Sequence, residues 1–248
     1  MAHLIRLLRG KVSIVTISQK GVNMKEKRSS CFIFLTAALV FVLLVQGCPK
    51  ETSAKKPDLA FNNASFYNAD GTFNIERGKD AYIALMKYHG YPVFEGLRER
   101  LWVSDYSLGE FTKLGLGAIG FLNDQESGYL GQDLFLLPNQ MLPEHYHLET
   151  AKGPAKMEGW HVRHGISYVY GEGEPTPNMK AVIPKCHMNG TVTVSHETIL
   201  HPGETTKLNR KTARHWQFGG PEGAIISEYG TFHDNDGVRH SDPKIVFP

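Results

Sequence analysis

Cysteine, net charge and long apolar runs are all scarce in this 248-residue chain, and each shortage removes a class of protein. There are three Cys. Cys31 lies in an apolar run at 31–45 and Cys48 just beyond it, so a chain cut near residue 47 and modified at Cys48 keeps Cys186 as its one ordinary thiol. One thiol closes no intramolecular disulfide, so oxidative stapling is not part of the fold. The apolar run is 15 residues long, against the about 20 that a membrane-crossing helix needs. No internal repeat, helix array or heptad pattern is visible, which excludes solenoids and coiled coils. The formal net charge is only +2, and the surplus belongs to the front of the chain. Residues 1–47 hold seven of the 27 Lys/Arg and one of the 25 Asp/Glu. The remaining 201 residues therefore carry 20 basic against 24 acidic side chains, or −4. Nucleic acid is not the expected partner of such a surface. The length suits one well-buried domain.

What is present begins with a leader. A short basic run at 24–28 (MKEKR), the apolar run and the small Gly47 together read as a secretory signal. Gly47-Cys48 resembles the lipobox of bacterial lipoproteins. That resemblance implies a lipid on Cys48 and export across the inner membrane, to a periplasmic or cell-surface position anchored in the membrane. Gln46 departs from the pattern, leaving ordinary cleavage or an uncleaved anchor as alternatives. Residues 1–23 precede a second Met, Met24, and read as an over-extended start. Residues 48–76 form a tether and N-terminal arm, polar around Lys55, Lys56 and Pro57. Residues 77–248 are the domain proper.

Within the domain, 77–89 (RGKDAYIALMKYH) has helical spacing and is stopped by Gly90 and Pro92. The segments 117–122, 131–138, 160–170, 191–195, 198–200 and 224–227 are short and rich in β-branched, Leu and aromatic residues, with turn clusters between them. They predict an all-β sandwich or barrel with one short N-terminal helical segment.

The chemistry concentrates in 141–160 (MLPEHYHLETAKGPAKMEGW). On a strand, His145 and His147 aim to the same side, about 7 Å apart, as suits two imidazoles converging on one ion. Lys156 and Glu158 alternate likewise beyond the Gly153-Pro154 break, and a hairpin there would bring Glu158 to the His pair. Glu149 is a rival ligand, since it takes the next same-face position after His147. Glu144 is out of phase and is expected in solvent. Downstream, 200–204 (LHPGE) ends in a turn and 214–218 (RHWQF) reads as a strand carrying His215. An H-x-H pair, an acid, a Pro-Gly turn and a lone His about 70 residues on are similar to the two-motif pattern of cupin barrels. There, four such side chains hold one divalent metal. Glu228 sits in the apolar strand AIISEY, where a charged residue is expensive unless paired or functional. By alternation it faces the same side as Ala224 and Ile226. Trp216 is expected to pack rather than to stack on a ligand. His161, His164, His187, His196, His201, His233 and His240 have no partner at metal spacing and are expected at the surface or core edge. Asp234 and Asp236 read as a turn.

Longer segments carry a closer resemblance. Residues 107–116 (SLGEFTKLGL), 136–147 (LLPNQMLPEHYH), 156–158 (KME), 200–204, His215-Trp216, 227–229 (SEY) and 234–236 (DND) resemble, in order, the D-lyxose isomerase-type sugar isomerases of the cupin superfamily. The resemblance runs from about residue 77 to the end. It implies a jelly-roll-like cupin β-barrel, a homodimer and one divalent ion of the manganese kind, with Zn²⁺, Fe²⁺, Co²⁺ or Ni²⁺ as alternatives. Carried over, the ligands are His145, His147, Glu158 and His215. Three departures stand out: Asn139 in place of a Gly, Gly159-Trp160 in place of an acid and an apolar residue, and an unfamiliar loop at 171–177. The expected activity is interconversion of a free aldose and ketose, such as D-lyxose and D-xylulose, by enediol proton transfer. Glu228 is the candidate base, and Lys156 the group that stabilises the oxyanion or shuttles a proton. The alternatives are a metal-dependent cupin dioxygenase and a non-catalytic sugar-binding lipoprotein.

Overall fold

The computed structural model describes residues 56–247. The leader at 1–47, the lipid site at Cys48, the choice of start and the first part of the tether lie outside the described residues. Among those described, no helix is long and apolar enough to cross a membrane.

The first long element is helix α1 (Ile75–His89). It begins two residues before the expected helix because the Asn74 side chain accepts the Arg77 N–H and caps the first turn. It stops at Gly90, whose φ of 73° is the left-handed ending that glycine takes freely. A single turn, α2 (Leu97–Arg100), follows. Everything else regular, apart from two 3₁₀ turns at Asn63–Phe66 and Asn235–Gly237, is strand. The strands are β1 (Trp102–Ser104), β2 (Leu116–Asp124), β3 (Tyr129–Leu136), β4 (Met141–His147), β5 (Glu158–Gly171), β6 (His196–Leu200), β7 (Thr205–Lys207), β8 (His215–Thr231) and β9 (Val238–His240). The all-β, cupin-type expectation therefore holds.

Strand β8 organises the sheet. Along one edge it pairs with β3 (Leu136↔Ala224 to Tyr129↔Thr231) and then with β4 (Met141↔Phe218, His145↔His215). Along the other edge it pairs with β5, from Glu158↔Gly230 to Tyr170↔Trp216. All three pairings are antiparallel. Two expected strands, at 214–218 and 224–227, are thus one 17-residue strand. Its middle is a corner. Gly223 has φ 74°, and a Cβ on it would fall 2.5 Å from the Leu136 carbonyl oxygen. Opposite it on β5, Gly165 has φ 70°, and a Cβ there would lie 2.1 Å from the Gly223 oxygen. Side-chain-free, left-handed backbone lets both strands bend at one level. The break between β3 and β4 sits at the same level, where the Asn139 N–H reaches Gly220 O and the Gly219 N–H reaches Gln140 O. Asn139 itself has φ 57°. The position demands left-handed backbone, and Asn is the non-glycine residue that tolerates it best.

The bend folds the sheet onto itself. Leu134, Leu136, Leu142, Trp160, Val162, Trp216, Phe218 and Ile226 fill the space between the two halves. The outer face of β2, β3 and β8 is apolar as well. There Ile119, Phe135 and Ile225 meet Tyr82, Leu85 and Met86 of α1. Burial on both faces explains why these strands read as nearly continuous apolar runs.

Two expectations fail. β4 and β5 form no hairpin, because β5 pairs with β6, β7 and β8 only. The segment 191–195 is not a strand. The Thr193 and Val194 N–H groups instead bond the Glu144 carboxylate.

Candidate metal centre

On β4, His145 and His147 alternate with Tyr146 and face the interior. His215 opens β8 directly across from His145, with ring centroids 4.2 Å apart. Glu158 opens β5 but is registered with Gly230, fifteen residues along β8 from His215. A straight strand would separate those ends by about 50 Å. The corner brings them together instead, and the ligand atoms of His145, His147, Glu158 and His215 lie within 4.8 Å of one another, all four residues being buried.

The imidazoles are set for coordination. His145 Nδ1 lies 2.9 Å from Pro143 O, and His215 Nδ1 lies 2.9 Å from Ala213 O. A carbonyl oxygen only accepts, so each Nδ1 carries the proton and each Nε2 presents a lone pair to the centre. His147 Nε2 touches Glu158 Oε1, and His215 Nε2 lies 3.4 Å from Glu158 Oε2. Despite that closeness, His147 Nε2 and His215 Nε2 are buried without a hydrogen-bond partner. Orphaned buried polar atoms cost about 1–3 kcal/mol each, and two aimed at one point beside a carboxylate call for an explanation. One divalent cation satisfies them all, so the residues present fit a metal. Burial would raise the Glu158 pKa, but the Lys156 charge and the imidazoles of His147 and His215 outweigh it and hold the group well below the usual carboxylate range. Burial, followed by the charges of His215 and His147, pushes His145 well below its ordinary value, which keeps it neutral.

Lys156 joins this centre to Glu228. Its Nζ lies 3.1 Å from Glu158 Oε1 and donates to Glu228 Oε1 at 2.6 Å. Burial works against its charge, but the two carboxylates outweigh burial and raise its pKa. Glu228 also accepts from Gln132 Nε2 at 3.0 Å and from Trp160 Nε1 at 3.3 Å. The unusual Trp160 thus places an indole donor on the candidate base. A cavity of about 240 Å³ opens beside the cluster, with His145, His147, Lys156, Glu158 and Glu228 at its polar end and Trp102, Tyr106, Leu134, Leu142 and Phe247 among its apolar walls. His215 is not among the residues that line it.

All six residues singled out in the sequence lie in this one cluster. Glu149 does not, being exposed beyond the end of β4. Glu144 corrects the solvent expectation. It is out of phase as read, yet fully buried, because the loop through Thr193 and the chain at Ser241 cover that face of β4 and donate to its carboxylate. Trp216 packs, stacked on Tyr170 at 3.8 Å. Asp234 and Asp236 do form a turn, held by Lys152. His187 is fully buried against Thr191 O. His233 and His240, expected at the surface or core edge, line the cavity beside His147 and His145. Burial takes both to about 4, so they are neutral near pH 7. His240 is placed by the pairing of β9 with β4, and His233 by the chain leaving β8, whose backbone bonds the Asn123 side chain; no spacing in the sequence announces either.

No family model matches the chain. It is 33% identical over 167 residues to the D-lyxose ketol-isomerase of Cohnella laeviribosi, covering 67% of this chain and 90% of that one. It is 36% identical over 148 residues to the D-lyxose/D-mannose isomerase of Thermosediminibacter oceani, covering 60% and 80%. Among solved structures, the L-ribose isomerase of Acinetobacter sp. DL28 with L-ribose aligns at TM-score 0.49 and 16% identity, over 67% of this chain and 82% of that one. With a third of the aligned residues identical over 90% of a curated relative, the chain belongs to the D-lyxose ketol-isomerase family of sugar isomerases.

Proposed function

We propose that the protein interconverts a free aldose and its ketose, of the D-lyxose/D-xylulose kind, by moving a proton between C2 and C1. The observation that carries this reading is the buried chain Glu228–Lys156–Glu158, which links a base at the cavity wall to the four-residue centre. His145, His147, Glu158 and His215 would hold the cation, which when bound supplies Lewis-acid polarisation of the substrate oxygens. Three imidazoles and one carboxylate suit manganese, and also iron, cobalt, nickel or zinc. Glu228 takes the C2 proton of the aldose and returns it at C1, while the C2 hydroxyl proton passes to the C1 oxygen, so the carbonyl moves from C1 to C2. Lys156, held charged between two carboxylates, steadies the Glu228 carboxylate. Its charge also favours the enediolate oxygens that form as the proton leaves. The apolar walls keep bulk water from the reacting carbons.

An unphosphorylated sugar is favoured because, among the described residues, the cavity offers no free cation pair for a phosphate. Lys156 is committed to Glu158 and Glu228, and the exposed Arg100 donates to Gly120 O. Neither the dioxygenase nor the non-catalytic alternative has an observation in its favour. The test is ketose formation from a panel of aldoses, D-lyxose first, by purified protein with Mn²⁺, with deuterium uptake from D₂O marking the proton step. Failure on every pentose and hexose with each of the five metals would overturn the reading. The lipid anchor at Cys48 and the homodimer stand as proposals from sequence alone. Membrane fractionation of Cys48→Ala and the solution mass of the purified domain test them.

A further inference from the structure

We infer that Tyr106 is a substrate-contacting residue whose phenol hydrogen-bonds an oxygen of the sugar in the cavity. The inference rests on the isomerase reading above and adds a contact that the family assignment does not supply.

Tyr106 lines the cavity and is only 2% exposed, yet its hydroxyl has no hydrogen-bond partner among the described residues. The other two fully buried tyrosines each have one: Tyr82 donates to Gln140 and Tyr170 to Glu197. The partly buried Tyr67 and Tyr91 donate to Asp105 and Asp133. A buried phenol normally finds a partner, so one left free against a cavity points to a ligand.

The backbone supports the same conclusion. Tyr106 and Ser107 sit at φ 54° and 59°, a region costly for a bulky residue and usually kept where the surroundings require it. Ser104 Oγ accepts the Tyr106 N–H at 2.9 Å, and Asp105 Oδ1 accepts the Ser107 N–H at 3.0 Å, which holds this turn. The ring is fixed by Phe247, stacked at 6.2 Å, and by the edges of His240 at 5.4 Å and Trp102 at 6.3 Å. A ring fixed on three sides presents its hydroxyl at one place. Burial, followed by the charge of Glu228, raises the phenol well above its usual range. The phenol is therefore a hydrogen-bond donor at neutral pH.

The test is Tyr106→Phe in the full chain with Mn²⁺. KM for the best aldose is measured, along with the Kd by calorimetry for the pentitol of the same configuration, which binds but cannot react. Loss of one neutral hydrogen bond raises both by roughly three- to tenfold. The melting temperature stays unchanged, because the lost hydroxyl has no protein partner. A series of pentitols lacking one hydroxyl at a time then locates the contact. For the analogue lacking the contacted hydroxyl, wild type and variant bind alike. Unchanged KM and Kd overturn the inference, and so does an equal penalty on every analogue, which would make Tyr106 a packing residue. If the wild type binds pentitol but turns over no aldose, a weaker Kd in the variant upholds the contact while the isomerase reading falls. If the wild type binds no pentitol and converts no aldose, both fall.

Discussion

Glu228→Gln separates the base from the ligands. The substitution keeps the volume and the hydrogen-bonding reach toward Gln132 and Trp160 but removes the charge and the basic oxygen. If Glu228 moves the proton, kcat falls by about 10²–10⁴, which is about 2.7–5.4 kcal/mol at 1.36 kcal/mol per tenfold. Stability falls much less. Leaving a buried charge without any partner costs about 3–5 kcal/mol, but Lys156 keeps Glu158 at 3.1 Å. The loss is therefore nearer the ~2 kcal/mol of one charged hydrogen bond. At about 2–4 °C per kcal/mol for a domain of this size, the melting point drops by about 4–8 °C. Metal content is unchanged, since Glu228 is not in the four-atom centre. The assay is kcat with deuterium uptake at C1 and C2, run beside elemental analysis. A variant that keeps a tenth or more of wild-type kcat refutes the assignment, and one that loses its metal places Glu228 among the ligands instead.

Mn²⁺ at a hundred times its Kd should stabilise the fold by about 2.7 kcal/mol. EDTA therefore lowers the melting point by about 5–11 °C, and His147→Ala abolishes that difference; a difference that survives would place the ion elsewhere. Glu144→Ala strips the carboxylate that accepts from Thr193 N at 2.7 Å and Val194 N at 3.2 Å. It should cost about 3 kcal/mol or more in urea unfolding, against about 0.5 kcal/mol or less for the exposed Glu149→Ala. Gly223→Ala and Gly128→Ala have nearly the same φ, 74° and 73°, but only Gly223 has backbone in the way. Gly128→Ala should cost about 1–2 kcal/mol and Gly223→Ala clearly more. Equal costs in denaturant melts would show that the corner is not tightly packed.

Side-chain alternation carried much of the centre. It placed His145 with His147, Lys156 with Glu158, and Glu228 with Ile226 and Ala224, because within a strand the period of two is fixed by the backbone itself. It could not say which strand lies beside which. The hairpin from β4 to β5 was the economical guess, but both segments pair with β8, whose glycine corner turns a 17-residue run into two facing halves. Alternation also cannot say what covers the other face. Glu144 points away from the cavity, as its phase requires, and is buried only because the loop at Thr193 lies over it. His233, His240 and Tyr106 reach the cavity through strand register and left-handed turns, where spacing in the sequence carries no signal. Asn139 stood out as a departure from the family pattern, and its φ of 57° shows it serving a turn.

The corner in β8 bears on when a nascent chain can capture an ion. His145, His147 and Glu158 leave the ribosome well before His215, yet β4 and β5 do not pair with each other and both pair with the strand that His215 begins. Until that last long strand arrives and bends, the His145–His147 pair on β4 and Glu158 on β5 belong to separate ribbons. The complete four-residue set therefore exists only once the sheet is finished.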